Sequence, residues 1–167
     1  AAANGQAPKE RWLEPLLACS PEEAPRLFEA ADRVRADSLG PGVYLRGLVE
    51  VSNIGRCDCL YCGLRRSNRA VERYRLGIDD IVAAAHRARS LGYGTVVLQS
   101  GEDFWFTADR LAQAVRSIKD ETRLAVTLSV GERDEDTYRA WKDAGADRVL
   151  VRIETTDSDL FSRLHPG

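Results

Sequence analysis

A chain of 167 residues, 44% hydrophobic and 30% charged, has the size and composition of one folded globular domain. Its 24 Lys and Arg against 26 Asp and Glu leave a net charge of −2, so no nucleic-acid partner is implied. No apolar run approaches the ~18–20 residues of a membrane span, and the opening Ala1–Gln6 lacks the basic-then-apolar layout of a secretory leader. A cytoplasmic protein without a membrane partner is the expectation. The absence of Met, even at position 1, suggests a processed, excerpted or edited chain.

In chain order, residues 1–19 read as an N-terminal tail and 20–167 as the domain. Cys19, beside Leu16 and Leu17, reads as a buried inert thiol. Between Pro21 and Val34 the apolar Ala24, Leu27, Phe28, Ala31 and Val34 recur at helical spacing, and Ser20 with Glu23 forms a capping box. After the turn signal "LGPG", the run Val43–Val51 is rich in β-branched residues and predicts the first strand.

Three further units then repeat one pattern of helix, Gly-containing turn and apolar strand. Helix Ile78–Leu91 precedes strand Thr95–Gln99, helix Ala108–Asp120 precedes Leu124–Leu128, and helix Glu135–Ala144 precedes Arg148–Val151. "SLGYGTVVL" and "DAGADRVLV" place glycine where an αβ turn needs it. Alternation of this kind means a parallel sheet, and near-continuous apolar strands predict cover on both faces. The expected fold is α/β: a parallel partial TIM-type (β/α) barrel of about four strands with flanking helices and an N-terminal helix. Residues 157–164 read as a further helix. The barrel is not closed at that point, so the chain is expected to be truncated before closure, or to pair its open edges as a homodimer.

In parallel α/β folds the site lies beyond the C-terminal ends of the strands. Those ends are polar here. Strand 1 leads into "SNIGRCDCLYCGLRR", strand 2 into Ser100-Gly101-Glu102-Asp103, strand 3 into Ser129-Val130-Gly131-Glu132, and strand 4 into Arg152-Ile153-Glu154-Thr155. Taken singly, a Ser-Gly-Glu-Asp loop reads as a turn and Arg152 with Glu154 as an ion pair. Three of the four cysteines within six positions read differently. Clustered thiols on a loop are a redox liability without a ligand, and a Cys57–Cys59 disulfide would be strained. Cys57, Cys59 and Cys62 are therefore candidate ligands of a metal or cluster. Zinc is the rival, but a structural zinc site takes four protein ligands and no fourth Cys or spaced His is nearby. His86, in a helix stripe, and His165, at the chain end, read as packing or surface residues.

A cysteine cluster directly after the first strand, with an aromatic before its last Cys, resembles the radical S-adenosylmethionine superfamily and its C-x3-C-x2-C pattern. "VEVSN…DCLYCGLRRSN", "VVLQSGED", "AVTLSVGER", "WKDAGADRVLVRIET" and "LFSRLHPG" together resemble the radical enzymes that help to mature the active-site cluster of iron-iron hydrogenases. The resemblance runs from about Leu27 to the last residue. It implies a 4Fe-4S cluster on three thiolates, with one iron left open for S-adenosyl-L-methionine. It also implies reductive cleavage of that cofactor, a small-molecule substrate, and an electron donor such as ferredoxin or flavodoxin. By the same resemblance Tyr61 lies near the adenine, Ser100, Gly101 and Glu102 receive the methionine amino group, and Glu132 and Arg152 contact the ribose and carboxylate region. Ser129 and Glu154 complete the cofactor-binding set.

Two positions depart from the pattern. The family's first cysteine falls at Gly55, with Cys57 two places on, so that the segment reads C-x-C-x2-C and Cys57 is the expected substitute ligand. Ile153 stands where the resemblance predicts His. Methylornithine synthase and biotin synthase share the layout and offer alternative chemistries. A catalytically impaired half-barrel serving as a metal-binding or interaction module is the alternative from another class.

Overall fold

The computed structural model describes residues 10–166, with side chains from Leu13 onward. The opening Ala1–Gln6, read above for a leader, lies outside the described residues. The chain separates into two compact units, 1–44 and 45–167.

The first unit contains helices α1 (Glu10–Leu17) and α2 (Ala24–Leu39). Helix α1 lies inside the segment read as a tail. The predicted capping box is present: Ser20 N–H donates to Glu23 Oε2 at 3.1 Å and Glu23 N–H to Ser20 Oγ at 3.3 Å. Helix α2 starts just after this box and runs five residues past the predicted end at Val34. It stops at Gly40, whose φ of +79° suits glycine. Cys19 is half-buried with a free thiol, not fully buried as expected.

The second unit is a four-stranded parallel sheet in the order β1-β2-β3-β4. The elements are β1 (Gly47–Ser52), α3 (Ile78–Ser90), β2 (Thr95–Ser100), α4 (Ala108–Thr122), β3 (Ala125–Ser129), α5 (Glu135–Asp143), β4 (Arg148–Val149) and α6 (Ser158–Leu164). This is the expected partial barrel. Gly92 and Gly145 take the positive φ that the αβ turns need. Capping is local and explicit: Thr107, Asp134 and Asp157 accept backbone N–H bonds at the starts of α4, α5 and α6.

The core lies on the helix side of the sheet. Strand side chains alternate between faces. Val51, Val96, Leu98, Val126 and Leu128 are fully buried with Ile81, Leu111, Val115, Ile118 and Trp141 of the helices. Among the described residues the other face is only partly covered, contrary to the expectation of two covered faces: Thr127 and Ser129 of β3 are buried there, whereas β1 is open. Leu48, on the inner face, is 57% exposed.

Two strand predictions are corrected. Residues 43–46 are not strand, because pairing with β2 begins only at Gly47 opposite Val96. Strand β4 has two residues rather than four, since it pairs only with β3, through Thr127–Arg148 and Leu128–Val149.

Trp141 closes the core against α4: it is fully buried and its indole N–H donates to the Ala108 carbonyl at 3.1 Å. Trp141→Ala should cost ~3–5 kcal/mol of stability, from lost burial plus the cavity left behind. Urea unfolding followed by circular dichroism measures it.

Candidate active site

The segment between β1 and α3 is fixed at both ends to the sheet. Gly101 N–H donates to the Ser52 carbonyl at 3.1 Å and Leu76 N–H to the Val51 carbonyl at 2.8 Å. Gly101 is required there by space: a Cβ on it would collide with the Ile54 carbonyl group. Within the segment the chain winds through short turns. Cys62 N–H donates to the Cys59 carbonyl at 3.0 Å and Arg66 N–H to the Cys57 carbonyl at 3.0 Å. Asp58 accepts from Ser67 N–H at 2.7 Å.

One cavity of about 440 Å³ lies beyond the C-terminal ends of the four strands. Cys57, Cys59, Cys62 and Tyr61 line it from the first loop, and Ser100, Gly101 and Glu102 from the second. Ser129 and Glu132 come from the third, with Arg152 and Glu154 following β4. Every candidate site residue read from the sequence therefore faces one space. Gly55 lines it too, as do Glu50, Arg56, Arg65, Gln99 and Gly131, which sequence reading did not select. Glu50 and Gln99 follow from strand alternation, being cross-strand partners on the partly covered face.

Charge inside the cavity is organised around Glu102. Arg56 Nε donates to its Oε2 at 2.6 Å, and the Cys57 thiol donates to the same oxygen at 3.2 Å. Burial works to raise the Glu102 carboxyl. The hydrogen bonds from Arg56 and Cys57, with the charges of Arg56 and Arg133, outweigh it and hold the group below its usual range. Burial, with Glu102 beside it, pushes the Cys57 thiol up. Gly131, at φ +81°, leaves room for this carboxylate, since a Cβ there would lie 2.9 Å from Glu102 Cγ. Phe104 stacks between Arg56 and Arg133, whose guanidinium carbons lie 4.5 and 4.7 Å from its ring centre.

Tyr61 is held by a residue read as mere packing or surface: its hydroxyl lies 2.8 Å from His165 Nε2. Burial, and then the neighbouring Cys59 and Glu154, push this phenol up to about 12. Leu60 N–H donates to the Leu164 carbonyl at 2.9 Å, so α6 and the cysteine loop meet along the backbone as well. Arg152 reaches Gln99 Oε1 at 3.4 Å, rather than forming the ion pair with Glu154. His86 is exposed and pairs with Glu121 at 2.8 Å, away from the cavity.

Among the described residues, no three His, Cys, Asp or Glu side chains converge closely enough to hold a single metal ion. Three soft sulfur donors nevertheless share one cavity. Such a donor set suits a polynuclear centre that takes one thiolate per metal atom better than it suits a four-ligand zinc site.

The Radical SAM superfamily model matches residues 49–167. The chain belongs to the radical SAM superfamily. Within it, the chain is 45% identical over 140 residues to the FeFe hydrogenase maturase subunit HydE of Thermotoga maritima, covering 84% of this chain and 40% of that protein. It is 29% identical over 150 residues to 3-methylornithine synthase of Methanosarcina barkeri, covering 89% and 43%. In structure it resembles methylornithine synthase, with a TM-score of 0.88 at 28% identity over 99% of this chain and 50% of that one. The FeFe-hydrogenase maturase HydG shares the fold, with a TM-score of 0.80 at 20% identity over 91% of this chain and 35% of that one. This radical SAM chain thus spans half or less of the length of these relatives. No helix among its described residues is long and apolar enough to cross a membrane.

Proposed function

We propose that this chain forms the cofactor-holding half of a radical SAM enzyme that cleaves S-adenosylmethionine reductively and acts in assembly of the iron-iron hydrogenase active site. The observation that carries the reading is the single cavity lined by three cysteines and by polar residues from all four strand ends. The 45% identity to a hydrogenase maturase subunit favours that role over the methylornithine and biotin chemistries.

Cys59, Cys62 and Cys57 would hold a 4Fe-4S cluster, with Gly55 standing where the family pattern has its first cysteine. When bound, the cluster supplies the electron that breaks the sulfonium bond of S-adenosylmethionine, on reduction by a ferredoxin or flavodoxin. The chain's own residues bind and orient. Glu102 would exchange its Arg56 and Cys57 partners for the ammonium of the methionine moiety, a charge-assisted contact with the same carboxylate. Arg152, whose side-chain contact among the described residues is a long one to Gln99, can turn to meet a carboxylate. Glu132, Glu154 and Ser129 offer acceptors and a hydroxyl for the ribose, and Tyr61 offers a ring face for the adenine.

A half-barrel that holds one metal ion as an interaction module is the second reading, and Gly55 is the observation in its favour. Anaerobic reconstitution with iron and sulfide separates them. The enzyme reading expects about four irons and four sulfides per chain. One tightly held zinc and no sulfide supports the module. On the reconstituted protein, Glu102→Ala and Arg152→Ala should each weaken S-adenosylmethionine binding at least ~30-fold, the low end of ~2–5 kcal/mol for removing one partner of a charge pair. Parent-like calorimetric binding by both variants would overturn this placement of the cofactor.

A further inference from the structure

We propose that Arg73 is the positioning residue of the cysteine loop, the group that sets where Cys57, Cys59 and Cys62 stand. Its guanidinium donates to four backbone carbonyls: Asn53 at 2.6 Å, Leu64 at 2.9 Å, Arg65 at 2.8 Å and Asn68 at 3.2 Å. Asn53 lies before the cysteines and the other three acceptors lie after them. One planar cation therefore ties the entrance of the loop to its exit, and all three thiols hang on the segment between.

Arg73 is itself aimed by its neighbours. The buried Asn53 side chain donates from Nδ2 to the Glu72 carbonyl at 2.7 Å and accepts from Tyr74 N–H at 2.8 Å. The residues on either side of Arg73 are thus clamped to the same loop entrance that its guanidinium holds. No carboxylate among the described residues lies in salt-bridge range of Arg73. Its charge is met by carbonyl dipoles, and such bonds are stronger than neutral ones. The task is specific to arginine: a rigid fork of five N–H donors can reach four carbonyls, whereas an ammonium offers three donors from one point.

This inference rests on the reading of the loop as cluster-binding, but loop order can be measured without a cluster. Arg73→Lys and Arg73→Gln are made in the full chain. Anaerobic alkylation of each cysteine by iodoacetamide is then timed by mass spectrometry, beside circular dichroism and reconstitution with iron and sulfide.

The expected result in Arg73→Gln is alkylation of Cys57, Cys59 and Cys62 faster by about tenfold, the effect of shifting a local opening equilibrium by tenfold. Cys19, in the other unit, should be unchanged, and iron retention should fall by more than half. Arg73→Lys, which keeps the charge but loses the fork, should fall between. Millimolar guanidinium should slow alkylation of the loop thiols in Arg73→Gln.

Parent-like alkylation of the loop thiols in both variants overturns the proposal. So does acceleration shared equally by Cys19, which means general loss of fold. If the loop thiols are selectively released in a protein whose parent takes up no iron and sulfide, the positioning role stands and the cluster reading fails.

Discussion

Replacing Gly55 by cysteine is expected to raise the iron and sulfide retained after anaerobic reconstitution and to make Cys57 dispensable. Position 55 faces the cavity, and a Cβ built there meets only the Leu64 carbonyl oxygen, at 3.3 Å. A shift of a few tenths of an ångström at that carbonyl, which Arg73 holds at 2.9 Å, accommodates the side chain. The existing third thiol is less well placed to serve: Cys57 donates to Glu102, and burial beside that carboxylate works against the thiolate form that metals bind. In the parent background, Cys57→Ala leaves two cavity thiols and should reduce bound iron about tenfold, to background levels, as Cys59→Ala and Cys62→Ala do. In the Gly55→Cys background the same change should leave at least the parent's iron content. Unchanged iron in the parent-background Cys57→Ala shows that Cys57 is not a ligand. A double variant no better than Cys57→Ala alone shows that position 55 cannot supply one.

The sheet and the cavity were legible because both follow from local pattern. Apolar runs such as Thr95-Val96-Val97-Leu98 specify a strand, the helices between them force parallel pairing, and parallel pairing puts every strand end at one mouth. The candidate residues were found by reading the four strand ends. Elements whose form depends on a partner were less legible. Val43–Leu45 has strand propensity but pairs with no strand among the described residues, while Arg148–Val151 shortens to two paired residues at an edge. The partners of functional groups were not legible at all. Glu102 binds Arg56 across 46 positions, and Arg73 reaches the carbonyls of a loop whose path no periodicity describes. Such contacts depend on the conformation of Gly-containing and polar turns, where propensity is weak and side-chain hydrogen bonding decides.

Asp103→Ala is expected to destabilise the sheet unit by ~1–3 kcal/mol, because it removes a buried acceptor and leaves its donors, the buried Ser52 hydroxyl among them, without their partner. Sequence reading placed Asp103 in a turn. In the structure its side chain is 3% exposed to solvent and receives four hydrogen bonds. Arg75 donates from Nε at 2.7 Å and from Nη2 at 3.0 Å, Ser52 Oγ donates at 2.7 Å, and Trp105 N–H donates at 3.0 Å. Its carboxylate therefore joins the end of β1, the exit of the cysteine loop and the turn after β2. Its carbonyl accepts from Arg133 at 3.2 Å, bringing in the turn after β3. Burial opposes the charge, but the bonds from Arg75, Ser52 and Trp105 outweigh it and hold the carboxyl below its usual range. A depressed folded-state value means that the stabilisation is complete above the ordinary carboxylate pKa of ~3.9 and is lost as pH falls through the lower folded value. The stability gap between parent and Asp103→Ala should accordingly be constant from about pH 5 to 7 and shrink below about pH 4. Urea unfolding across that range measures both size and direction. A gap under ~1 kcal/mol at pH 7, or one that widens on acidification, would show that Asp103 is not the hub that fixes the loops to the strand ends.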